Sequence, residues 1–68
     1  MSKHYEVTAF IPAEPEEQEQ YETQRDAMSE VKHLSTMQPE NNYVVEEIDN
    51  GERRVTIAVI EGNIFLPM

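Results

Sequence analysis

Over residues 3–11 apolar and polar side chains alternate. Tyr5, Val7, Ala9 and Ile11 fall on one side of an extended backbone, and His4, Glu6, Thr8 and Phe10 on the other, because successive residues of a strand point to opposite faces. The spacing predicts a strand that Pro12 ends, since proline has no N–H to give to a ladder. From about residue 24 to 37 the period changes: Ala27, Val31 and Leu34 recur at helical spacing, flanked by Met28 and Met37. Thr23-Gln24-Arg25-Asp26 ahead of this stripe reads as a capping box with Asp in place of the usual Glu. Gln38-Pro39 stops the helix, because the residue before a proline avoids the helical region, and Pro39-Glu40-Asn41-Asn42 is then a loop.

Two β-rich runs, residues 43–48 and 53–60, flank Asp49-Asn50-Gly51-Glu52, and Asn-Gly in that setting predicts a hairpin. A two-residue turn places Glu46 between Val44 and Ile48, on the face of Val55, Ile57 and Val59. A three-residue turn with a glycine bulge places Tyr43 and Val45 there instead, with Glu47 against Arg53 and Glu46 against Arg54. Opposite charges across a strand pair contribute about 0.2–1 kcal/mol, and burying a lone carboxylate costs more. The bulged register is therefore preferred. Beyond the turn Glu61-Gly62-Asn63, the apolar tail Ile64-Phe65-Leu66-Pro67-Met68 packs on the core, adds a short edge strand or docks on another chain.

Residues 12–22 follow neither period. Glu14, Glu16, Glu17, Glu19 and Glu22 occur here with no base before Arg25, and Tyr21 is the only large apolar side chain among residues 14–22. A loop followed by a short strand near residues 18–22 is favoured, and a solvated extension of the helix with Pro15 in its first turn competes with it. The layout predicts a single α+β domain over residues 1–68: an antiparallel sheet of the first strand, a short second strand and the C-terminal hairpin, with one helix packed on one face.

The chain has 68 residues and makes one small core; domains near that size bury only about 60% of their unfolded surface and often need a staple. Cysteine is absent, so disulfides and thiolate metal sites are excluded, and His4 and His33 are too far apart in sequence to suggest a zinc site. Association with a second copy or with a partner protein is the staple that remains. No apolar run approaches the roughly 18 residues of a membrane span. The residues from Met1 to Glu6 lack the apolar stretch of a signal peptide. The expectation is a cytoplasmic protein with no membrane contact.

Charge narrows the partner. Fourteen acids against five bases give a formal net charge of -9, just beyond the magnitude of about 2–8 usual for solubility. Such a balance opposes direct binding to DNA, RNA or an anionic membrane and favours a basic protein surface. If residues 17–19 are extended, Glu17 and Glu19 point the same way about 6.6 Å apart. If they are helical, Glu19 and Glu30 lie about 16 Å apart along one line. Asp26 and Glu30 fall opposite Ala27, Val31 and Leu34 on the helix. Either form gives a row of carboxylates spaced like the phosphates of a nucleic-acid strand, with an ordinary solvated face as the plainer reading. The candidate partner-binding residues are Glu14, Glu16, Glu17, Glu19, Glu22, Asp26 and Glu30.

Chemistry is harder to find. Gly51 and Gly62 are the only glycines and both sit in turns, so there is no phosphate-cradling loop. His33, one turn after Ser29, reads as an exposed helical histidine near a C-terminus, and His4 as a sheet-surface residue. Glu16-Glu17 and Glu46-Glu47 are paired acids, but so short a chain leaves little room for a water-excluding pocket. The acidic segment has neither the Asp nor the Gly of a calcium loop. No catalytic residue, metal or cofactor is expected.

Size, charge, the absence of Cys, the acidic run Glu14–Glu22 and the strand–helix–hairpin order ending in Tyr43-Val44-Val45-Glu46-Glu47-Ile48-Asp49-Asn50-Gly51 together give the chain a resemblance. As a whole it looks like the small acidic proteins that bacteriophages use against host machinery, such as anti-CRISPR and anti-restriction inhibitors. The resemblance implies a non-enzymatic inhibitor that binds a host nucleoprotein or nuclease complex and blocks its nucleic-acid site. It carries over no functional residue. The alternative expectation is a homodimeric structural or assembly module that uses Ile64, Phe65 and Leu66 and an edge strand.

Overall fold

The alternating N-terminal run forms strand β1 (Lys3–Phe10), and the acidic connection after it forms a turn and a second strand, β2 (Glu17–Tyr21), in the computed structural model, which describes residues 2–62 and 64–67. Helix α1 (Gln24–Met37), β3 (Asn42–Asp49), β4 (Arg53–Glu61) and β5 (Ile64–Pro67) follow. The strands make one antiparallel sheet in the order β2-β1-β3-β4-β5. The helix packs across β1, β2 and β3 on one face, so the class is α+β. Residues 64–67 of the apolar tail form an edge strand, and Met68 lies outside the described residues.

The helix begins and ends where its sequence dictates. Thr23 is extended (φ -127, ψ 152), and its Oγ1 accepts a bond of 3.1 Å from the Asp26 N–H, satisfying one of the orphan donors of the first turn. At the other end the Gln38 N–H donates to the Leu34 carbonyl at 2.7 Å, and Gln38 leaves helical geometry (φ -133) ahead of Pro39. Ala27 and Val31 are fully buried against Val7, Tyr43, Val45, Ala58 and Ile60, with Leu34 and Met28 packed beside them. The Tyr43 ring is fully buried, and its hydroxyl lies 3.3 Å from the Leu34 carbonyl and 3.2 Å from that of Gln38. That hydroxyl ties the end of the helix to the sheet.

The hairpin differs from the sequence expectation in two ways. Asn50 (φ 54) and Gly51 (φ 74) both adopt left-handed backbone, and the Glu52 N–H donates to the Asp49 carbonyl at 3.1 Å. The loop has three residues as preferred, but it is centred one residue later, so Asp49 faces Arg53 and Ile48 faces Arg54. Glu47 therefore stands opposite Val55 rather than Arg53, and Glu46 opposite Thr56 rather than Arg54. A second irregularity lies at Val45/Glu46, where pairing skips Ile57 and resumes at Val45↔Ala58. An extra residue on one strand sends every later side chain to the other face. Tyr43 and Val45 face the core as expected, but Ala58 and Ile60 join them, while Val55 remains 42% exposed.

The uncovered face of the sheet holds a charge cluster in which the expected Glu46–Arg54 pair forms despite the changed register, and to which Glu6 is added. Glu6 and Glu46 are direct partners across β1 and β3, an arrangement of like charges that destabilises a sheet. Arg54 reaches across from β4 and donates to Glu6 Oε1 at 2.9 Å and to Glu46 Oε1 at 3.3 Å. Glu6 is buried although it lies on the face that the helix leaves uncovered. Glu47 pairs instead with Lys3 at 3.5 Å and accepts from the Tyr5 hydroxyl at 3.3 Å.

Candidate functional site

The acidic segment enters the sheet as its outermost strand. Glu17 faces Ala9, Glu19 faces Val7 and Tyr21 faces Tyr5. Directly paired residues share a face, so Glu17, Glu19 and Tyr21 stand on the helix side, while Gln18 and Gln20 stand on the other. A cleft of about 350 Å³ opens between α1 and the β1–β2 pair. Its floor is apolar, made by Val7, Ala9, Ile11, Leu34 and Tyr43, and its rim carries Glu17, Glu19, Glu30, Tyr21 and Gln38. Past Ile11, Glu17 and Gln38 it continues into a more polar hollow of about 410 Å³, lined also by Pro12, Glu14, Glu40 and Asn41. Asn41 is buried at this junction, its amide donating to Gln38 Oε1 at 3.3 Å and to the Tyr43 hydroxyl at 3.4 Å.

The electrostatics divide the molecule. Among the described residues, the ion pairs are Lys3–Glu47, Arg54–Glu6 and Arg54–Glu46, all on the strands of the central sheet. The seven candidate acids from Glu14 to Glu30 have no base of this chain within ion-pair distance among those residues. The Tyr21 phenol registers this field. Burial, then the charges of Glu30 and Glu19, push it above its ordinary value of 10.0. A further negative charge is unwelcome in the cleft, and a cation is favoured there.

Three of the seven sequence-derived candidates, Glu17, Glu19 and Glu30, come together around the cleft, and Glu14 lines the adjoining hollow. Glu16, Glu22 and Asp26 are exposed and line neither. Glu30 corrects its sequence assignment. It is half-buried on the flank of the helix and shares the cleft with Leu34, one turn on, rather than lying opposite it. Sequence reasoning missed Glu40 and Gln38, which reach the site only because the chain returns past β1 after the helix. In the tail, Phe65 is half-buried beside Ile60 with the Lys32 ammonium 5.7 Å above its ring, while Ile64 and Leu66 are exposed.

Among the described residues no group of three or more His, Asp or Glu side chains is placed to hold a metal ion. Among the same residues no helix is long and apolar enough to cross a membrane. Comparison of the chain with protein-family models, curated proteins and solved structures finds no match.

Proposed function

We propose that this chain is a non-enzymatic binding protein whose acidic side occupies a basic surface of a partner protein, and that the surface is one that otherwise holds nucleic acid. One observation carries the reading. Glu6, Glu46 and Glu47 are matched by Lys3 and Arg54, whereas the seven acids from Glu14 to Glu30, like Glu40, Asp49, Glu52 and Glu61, have no ion-pair partner among the described residues, and it is the seven that lie together along β2, its flanks and the first half of α1. Uncompensated charge held on an ordered strand and helix is preorganised for an opposite surface. Association then gains by steering and by release of the partner's bound anions, as in protein–nucleic-acid contacts with the signs exchanged. A nucleic-acid-binding protein or nuclease complex is the partner that fits, and a cytoplasmic location fits such a partner. Inhibition of host defence by a phage protein is the form that the sequence resemblance suggests.

The test is competition. A partner recovered with this chain is expected to release it when its own nucleic acid is added. Simultaneous binding of both, at saturating concentrations, contradicts the reading.

A second reading rests on the other end of the sheet. Ile64 (64% exposed) and Leu66 (43%) lie on the edge strand β5, and Leu66 continues a row with Val59 and Val44 on the uncovered face. A homodimer through that edge would cover them. A mass in analytical ultracentrifugation that stays monomeric at all concentrations removes this reading.

A further inference from the structure

We infer that the cleft between α1 and the β1–β2 pair seats a lysine or arginine side chain from an extended basic segment of the partner, laid along the free edge of β2. This rests on the acidic-surface reading and gives it an address.

The cleft joins two properties that rarely meet. Its floor of Val7, Ala9, Ile11 and Leu34 favours hydrocarbon, and its rim of Glu17, Glu19 and Glu30 favours a cation. Lysine and arginine carry both parts on one side chain, an aliphatic stem and a charged head. A bare metal ion leaves the floor unused, and an apolar ligand leaves the carboxylates desolvated without a partner. At about 350 Å³ the space lies at the lower end of ligand sites, which run from about 300 to 1,000 Å³.

The edge supplies the second half. β2 is the terminal strand of the sheet, so one side of its backbone has no neighbouring strand among the described residues. An extended segment added there forms main-chain hydrogen bonds and turns alternate side chains toward the helix, beside Glu17, Glu19 and Tyr21. Charge selects the occupant. A second copy of β2 would bring Glu17 and Glu19 against their own kind, whereas a strand with basic residues at alternate positions meets opposite charge at each.

The test is a titration of the isotope-labelled full chain, followed by its amide resonances at low salt. One peptide alternates lysine and threonine. A second replaces each lysine by diaminobutyric acid, which keeps the ammonium at neutral pH but removes half of the stem. The lysine peptide is expected to shift the amides of Val7, Gln18, Tyr21 and Leu34, and to bind about fivefold or more tightly than the short-stemmed one, since only its stem reaches the floor. Glu17→Gln/Glu19→Gln/Glu30→Gln is expected to weaken the lysine peptide about tenfold, and Glu16→Gln/Glu22→Gln/Asp26→Asn less than about threefold. Equal affinity for the two peptides, or equal loss in the two triple variants, overturns the cleft and leaves the acidic-surface reading standing. No binding of either peptide at low salt overturns both. The peptide comparison uses the unaltered chain and does not depend on any variant folding.

Discussion

Tyr43 joins the helix, the sheet and the floor of the cleft, and its hydroxyl and ring contribute by amounts that can be separated. Tyr43→Phe keeps the ring, so it leaves no cavity. What it removes is one donated hydrogen bond, because the hydroxyl has a single proton and the contacts of 3.3 Å to Leu34 and 3.2 Å to Gln38 share it, together with the long bond of 3.4 Å that the hydroxyl accepts from the Asn41 amide. Neither carbonyl is orphaned. That of Leu34 still accepts from the Gln38 N–H at 2.7 Å, and that of Gln38 from the Asn41 N–H at 3.2 Å. The Asn41 amide keeps Gln38 Oε1 at 3.3 Å. The loss therefore falls in the lower half of the range for a hydrogen bond, about 0.5–1 kcal/mol. For a domain of this size that lowers Tm by roughly 2–8 °C. Tyr43→Ala also empties a fully buried ring site, at about 3–5 kcal/mol. Stability at about 0.05–0.15 kcal/mol per residue amounts to about 3–10 kcal/mol for the whole chain. The alanine variant is thus expected to be largely unfolded or close to it, and the phenylalanine variant folded. Urea and thermal unfolding followed by circular dichroism measure both. A Tyr43→Phe loss as large as that of Tyr43→Ala would refute the reasoning, since it would mean that the hydroxyl, and not ring packing, holds the helix end.

Other outcomes follow from single contacts. Thr23→Ala removes the acceptor for the Asp26 N–H and is expected to cost about 1 kcal/mol in urea unfolding. Gly51→Ala meets no atom within 4 Å, so its cost of about 1 kcal/mol or more comes from the positive φ of 74 alone. Arg54→Ala leaves Glu6 and Glu46 facing each other without a bridge, and should lower Tm at neutral pH. Adding Glu46→Gln should recover part of that loss, and strict additivity of the two changes would show that Arg54 does not couple them. Tyr21 should ionise above the usual phenol pH in an alkaline titration read from its ring resonances, and Glu19→Gln/Glu30→Gln should bring it only part of the way back, because burial is the larger cause. Since its folded value is raised, the stability it contributes is complete below the ordinary value of 10.0 and is lost as pH rises through the folded value.

Local signals carried most of the architecture. The Ala27, Val31 and Leu34 stripe lies between a capping threonine and Gln38-Pro39, and these signals agree on the same helix ends. Glu17 and Glu19 were recognisable as same-side carboxylates once residues 17–21 were taken as extended. The register of β4 was not legible, because the run from Val55 to Ile60 is apolar on both of its faces and periodicity cannot choose between them. The skip at Ile57 puts Ala58 and Ile60 into the buried cluster with Tyr43 and Val45. Glu6 looked like an ordinary outward residue of β1. Its burial depends on Arg54, which is 48 residues away in sequence and crosses β3 to reach it. Helical spacing puts Glu30 on the outer face, because the apolar stripe runs through Ala27, Val31 and Leu34. The tertiary structure widens that face on the β2 side, and Glu30 and Leu34 then line one cleft. The cleft itself combines β1, β2, α1 and, through Tyr43, β3, so no window of sequence contains it.

The acids from Glu14 to Glu30 are proposed as the binding surface. The most direct measurement is the salt dependence of affinity for a partner recovered with this chain. It compares the natural sequence with a variant carrying Gln at Glu14, Glu16, Glu17, Glu19, Glu22 and Glu30 and Asn at Asp26. The natural chain is expected to bind more weakly as salt rises, along a straight line in log affinity against log salt. The neutralised variant is expected to bind weakly throughout, with most of that slope gone and its amide spectrum still that of a folded chain. The same slope and the same affinity for both proteins would contradict the account.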